Sequence, residues 1–133
     1  MSRGLRNCNP GNIRQSRSNF KGEVRPSRDS AFKQFESMAY GYRAMFVLLN
    51  SYHKRYDLTT IREMISRWAP PSENFTEGYI RFVSERSGIS ADAQVDSRSE
   101  RDMVPIVAAM SEIENGVKAA MNDVHEGWKL FSK

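Results

Sequence analysis

Acidic, amide and turn-forming side chains come together at three places in this chain of 133 residues. The first is Arg3-Gly4-Leu5-Arg6-Asn7-Cys8-Asn9-Pro10-Gly11-Asn12-Ile13-Arg14, the second Arg67-Trp68-Ala69-Pro70-Pro71-Ser72-Glu73-Asn74-Phe75-Thr76, and the third Glu112-Ile113-Glu114-Asn115-Gly116. A carboxyl group placed in a cleft can protonate a leaving oxygen, and amides beside it can orient a polyhydroxylated substrate. Glu114 stands where a helix is expected to end, a position the macrodipole disfavours for an anion by a few tenths to about 1 kcal/mol. A residue that breaks a local rule is a functional candidate. Glu73 precedes a helix start, where its charge is favoured, so capping competes with chemistry there. Glu36 follows Phe35 at a strand-to-helix junction and ranks third. Trp68 lies on an apolar stripe and reads as core, so Tyr40, Phe75 and Tyr79 are the rings expected to line a cleft.

These groups need elements to position them. The opening twelve residues contain three Asn, two Gly and one Pro, which favour left-handed backbone and tight turns. They read as an ordered polar loop, with Leu5 and Ile13 available to anchor its ends. Residues 13–35 read as short strands and turns forming a hairpin or three-stranded sheet. From Ser37, an N-cap, Tyr42, Met45, Phe46, Leu49 and Tyr52 recur at helical spacing to about residue 55. Thr60-Ile61-Arg62-Glu63 fits a capping box. Ile61, Met64, Ile65 and Trp68 follow at i, i+3, i+4 and i+7, and the two prolines stop that helix. Thr76 is expected to cap a helix carrying Tyr79, Ile80 and Val83 to a terminal Gly88. After an irregular polar stretch at 89–102, a helix restarts near Asp102 with Pro105 in its first turn and ends at Glu114-Asn115-Gly116. Val117, Met121, Val124, Trp128 and Phe131 mark the last helix. The fold class expected is α+β, mainly α: a small N-terminal β element, then about five helices in a single domain over residues 1–133.

Charge is uneven. Residues 1–35 carry eight Lys or Arg against Glu23 and Asp29, a net of +6, while the remainder nets −2. A basic face suits an anionic partner: nucleic acid, a membrane surface or an acidic cell-wall polymer. Nucleic acid ranks last, for want of an established binding motif. No apolar run reaches the ~18 residues of a membrane span, and the first residues lack the apolar core of a signal peptide. Synthesis in the cytoplasm is therefore expected. Cys8 is the lone cysteine, and with His53 and His125 it has no metal-site spacing. No metal and no cofactor is expected.

The opening segment resembles the "RGIRNNNPGNIR" start of a family of phage and prophage virion-associated proteins that are lysozyme-like, of the lytic transglycosylase or glucosaminidase kind. Phe32-Lys33-Gln34-Phe35-Glu36-Ser37 with Gly41-Tyr42-Arg43-Ala44 is similar to its "FxxFxS…GxRA". Arg67–Asn74 with Thr76 and Tyr79-Ile80 is similar to its "RWAPPxENxTxxYI", and Met110–Gly116 to its late "AM…ENG". Cys8 departs from the pattern, standing where the family has Asn. The resemblance implies a lysozyme-like domain that cleaves, or only binds, peptidoglycan glycan strands, carried in a virion beside other virion proteins or delivered to the cell wall. It implies a glutamate general acid, Glu114 or Glu73. Glu114-Asn115-Gly116 is similar to the "ESG" that ends the catalytic helix of transglycosylases. Arg6, Asn7, Asn9, Asn12, Asn74, Tyr79 and Glu36 would bind substrate, with the C-terminal helices packed beside the opening loop.

Overall fold

The computed structural model describes residues 1–71 and 74–133. Among these are six helices and one two-stranded sheet. The opening segment corrects the expectation of a loop, because Arg3–Arg6 forms a short helix, α1. Ser2 caps it, its hydroxyl accepting from the Leu5 amide at 3.2 Å. The loop that follows passes through positive φ at Cys8 (51°) and Asn12 (49°). Asn tolerates that region; Cys does so less readily. Ile13 reaches the core, whereas Leu5 is only half-buried.

Of the two expected forms, the sheet takes the two-stranded antiparallel one. β1 (Glu23–Val24) pairs antiparallel with β2 (Gln34–Phe35), Glu23 opposite Phe35, and a single further bridge joins Arg14 to Phe32. Successive strand side chains point to opposite faces. Lys33 and Phe35 therefore turn inward together, and Phe32 turns the other way. Lys33 is only 1% exposed. Its ammonium pairs with Glu23 at 3.1 Å and donates to the Ser18 carbonyl at 2.8 Å. A buried charge is tolerable only with such partners. Burial alone would raise the Glu23 pKa, but the Phe20 amide, Lys33 and Arg25 outweigh it and hold the carboxyl below its ordinary value.

α2 (Met38–Tyr56) starts at the Ser37 cap and buries Tyr42, Met45, Phe46 and Leu49. α3 (Ile61–Trp68) opens with the Thr60–Glu63 capping box. α4 (Thr76–Ser87) ends at Gly88, whose φ of 75° suits glycine. Thr76 is not its cap, as the spacing suggested. It is the first helical residue, buried, and its hydroxyl donates to the Ala69 carbonyl, tying α4 to the end of α3. α5 (Glu100–Asn115) starts two residues earlier than expected, at a Ser99 cap. Pro105 therefore falls in its second turn and leaves the Arg101 carbonyl without its helical partner. α5 buries Met103, Val104, Ile106, Val107, Ala109 and Met110. Burial on so many sides is the pattern of a central helix. α6 (Met121–Ser132) begins four residues later than Val117, which is exposed and belongs to no helix. Phe46 meets Trp128 edge-on at 5.0 Å, locking α6 to α2. Each fully buried Leu, Phe or Met side chain contributes about 1.5–3 kcal/mol. No helix among the described residues is long and apolar enough to cross a membrane.

Candidate functional site

α5 delivers Glu114 to its last turn, and Gly116, at φ 75°, ends the helix immediately after. The neighbouring Asn115 fastens this end to the opening segment. Its Nδ2 donates to the carbonyls of Pro10 and Ser111, each at 2.9 Å, and its Oδ1 accepts from the Ser2 hydroxyl at 2.7 Å. The approach is close enough to require glycine at position 4. A Cβ there would stand 2.6 Å from Asn115 Oδ1 and 2.8 Å from Asn12 Oδ1.

The Glu114 carboxylate is held from two sides. Asn12 Nδ2 donates to Oε1 at 2.9 Å, and the Tyr79 hydroxyl donates to Oε2 at 3.0 Å. The two donors come from the opening loop and from α4, so three separate parts of the chain converge on one carboxylate. Tyr79 is 7% exposed. Burial, then the adjacent Glu114 charge, pushes its hydroxyl pKa well above the ordinary tyrosine value, so it stays protonated and donating at neutral pH. A carboxylate has about four acceptor positions. Two neutral donors leave capacity for a ligand, and no cation among the described residues is paired with Glu114.

Glu114 lies on a groove of about 450 Å³ whose walls include Gly11, Asn12, Arg14, Phe32, Tyr52, Trp68, Pro70 and Asn74. Trp68 meets Tyr52 edge-on at 6.4 Å. It also presses on Gly11, where a Cβ would lie 2.8 Å from the indole. Also in the lining, the Arg14 guanidinium sits 5.0 Å from the Phe32 ring centre. Aromatic faces, amides and one held carboxylate can stack on a sugar, orient its hydroxyls and transfer a proton. Among the described residues no cluster of three His, Cys, Asp or Glu side chains could hold a metal ion.

The sequence-derived candidates divide. Glu114, Asn12 and Asn74 line the groove, and Tyr79 stands behind Glu114. Asn74 donates to the Pro70 carbonyl at 3.3 Å. Asn7 and Asn9 do not face the groove; both are buried and consumed by the fold. Asn9 donates to the Ile13 and Lys33 carbonyls and accepts from the Ile13 amide. Asn7 donates to Asp29 and accepts from Arg28. Arg6 is exposed and bonds the Met1 carbonyl, away from the groove walls. Glu36 is also exposed and outside the groove, its backbone amide bonded to Gly22. Glu73 lies outside the described residues. The rings expected to line the cleft are mostly elsewhere. Tyr40 packs over Gly22, where a Cβ would collide with it, and Phe75 is 83% exposed. Trp68, Tyr52 and Phe32 line the groove instead. Sequence reasoning missed Trp68 and Tyr52 because a ring at the edge of an apolar stripe carries the same spacing signal as a core ring, and Phe32 because it sits in a short strand region.

No protein-family model matches the chain. It is 36% identical over 118 residues to Protein P5 of Pseudoalteromonas phage PM2, an alignment spanning 86% of this chain and 72% of that protein. At that identity and coverage the relationship is one of common descent along nearly the whole domain, and the chain belongs to the family of the phage PM2 Protein P5.

Proposed function

We propose that this is a virion-associated, lysozyme-like protein that cleaves the glycan strand of peptidoglycan, with Glu114 as the general acid. The observation that supports this reading best is the Glu114 carboxylate, which opens on an aromatic- and amide-lined groove and is oriented by Asn12 and Tyr79. Proton transfer from a positioned carboxyl group to the glycosidic oxygen lowers the barrier by weakening the bond to the leaving sugar. Asn12 and Tyr79 position the carboxyl, and Trp68, Tyr52 and Phe32 give sugar rings apolar faces to rest on. Water completes a hydrolysis; the 6-hydroxyl of the substrate completes a transglycosylation. A new reducing end identifies the first, and a 1,6-anhydro end the second.

The test is loss of turbidity of purified cell walls with wild type, Glu114→Gln and Glu73→Gln. The expected result is activity in the wild type and in Glu73→Gln, and its loss in Glu114→Gln. Activity preserved in Glu114→Gln removes the assignment. Wild type inert on several wall types removes the enzymatic reading. The relationship to a phage protein favours a second reading, a non-catalytic structural or wall-binding component of the particle. Co-sedimentation with walls but no lysis is its signature.

A further inference from the structure

Tyr52 and Pro70 are walls of the groove at Glu114. Both residues also border a second hollow of about 690 Å³, walled by Tyr56, Glu63, Ser66 and Arg67. We propose that this hollow is a continuation of the glycan-binding site, taking further sugar rings of a long strand; the proposal rests on the glycan reading of the Glu114 groove. Three observations carry it. The two hollows share Tyr52 and Pro70 in their linings, which sets them side by side on the surface. The Arg67 guanidinium lies 3.9 Å from the Tyr56 ring centre and 5.5 Å from that of Tyr52, building a layered surface in which the cation stiffens the rings. Tyr56 remains 48% exposed, so part of its ring stays open to a ligand.

The polar rim suits hydroxyl groups and is not a purely cationic site. Arg67 supplies donors, Ser66 supplies both donor and acceptor, and Glu63 supplies an acceptor. Glu63 is itself anchored, its Oε1 accepting from the Thr59 and Thr60 amides, so it presents a fixed oxygen. An aromatic platform edged by donors and acceptors is the chemistry that recognises the apolar face and the hydroxyl edge of a sugar ring.

The test measures binding, in the Glu114→Gln background so that ligand is not consumed. The probes are a disaccharide-peptide fragment and long glycan strands released from purified walls. The parent is expected to bind strands more tightly than the fragment. Tyr56→Ala and Arg67→Ala are each expected to weaken strand binding about three- to tenfold and to leave fragment binding unchanged. Because both side chains are at the surface, circular dichroism should show the fold intact. Parent and variants binding strands equally well overturns the extension while leaving the Glu114 site standing. Equal weakening toward both probes also overturns it, because the effect then reaches the Glu114 groove. Failure of the parent to bind either probe overturns the glycan reading and the extension together.

Discussion

Two carboxylates in this molecule are gripped by asparagines of the same opening segment, and their surroundings differ in kind. Asp29 accepts two bonds from Arg3, at 2.6 and 2.8 Å, one from Asn7, and one each from the amides of Ala31 and Phe32. Its acceptor positions are filled and its charge is matched by a guanidinium. Glu114 accepts one bond from Asn12 and one from Tyr79, both neutral, and opens on a groove. Saturation makes Asp29 a fastener that holds the 27–33 loop to α1. Incomplete saturation makes Glu114 available to something that is not part of the protein. The contrast teaches that contact with the Asn-rich segment does not mark a carboxylate as chemical; unused acceptor capacity beside open space does.

The sharpest way to break this comparison is Glu114→Gln. Wall-degrading activity should fall by about 10²–10⁴-fold, measured by turbidity and by released ends, while the melting temperature stays close to that of the wild type. A large loss of stability with no effect on activity would make Glu114 the fastener. Asn9→Ala tests the structural side. It strands the Ile13 amide and the Lys33 carbonyl inside the protein, while the Ile13 carbonyl keeps the Lys33 amide. The expected cost is about 3 kcal/mol, seen in urea unfolding. Gly4→Ala should cost about 1–3 kcal/mol and loosen the hold on Glu114, because the new Cβ collides with Asn115 and with Asn12, which bonds that carboxylate. Tyr79→Phe removes one of the two bonds to Glu114, together with the contact of the hydroxyl with Trp68. Activity should drop about tenfold, with a smaller change in stability than Asn9→Ala.

The smallest effect is a pH dependence. The hydrogen-bonded Arg3 guanidinium, with the Ala31 amide, holds the Asp29 carboxyl far below its ordinary pKa. A lowered folded-state pKa contributes stability in full above the unfolded value of about 4 and loses it as pH falls below that. Asp29→Asn should therefore be less stable than wild type at neutral pH. Denaturation curves of the two should converge as pH falls from about 4 to 2. Glu23, whose pKa is also lowered, keeps part of the acid slope in the variant. Curves that stay parallel through that range would show that Asp29 is not a fastener.

Local signals carried the helices. Ser37, the Thr60–Glu63 box, Gly88 and Gly116 punctuate the chain where the sequence says they should, because caps are decided by a few neighbouring residues. Local signals failed where a distant partner decided the outcome. The Arg3–Arg6 turn holds because α5 receives it through Asn115, 113 residues from Ser2. Thr76 gave up its capping role to bond the end of α3. Lys33 reads as a solvated charge and is buried, because Glu23 and two loop carbonyls meet it inside.

The same division runs through the site. Sequence by itself determined the mainly helical α+β class, the helix end that carries Glu114, and an opening segment rich in amides. It could not rank those amides, since Asn7, Asn9 and Asn12 look alike along the chain. Only the tertiary structure separated them, turning Asn7 and Asn9 into buried struts and Asn12 toward Glu114. Capping and periodicity are set by near neighbours, whereas which donor meets which acceptor across 102 residues is set by how the helices pack.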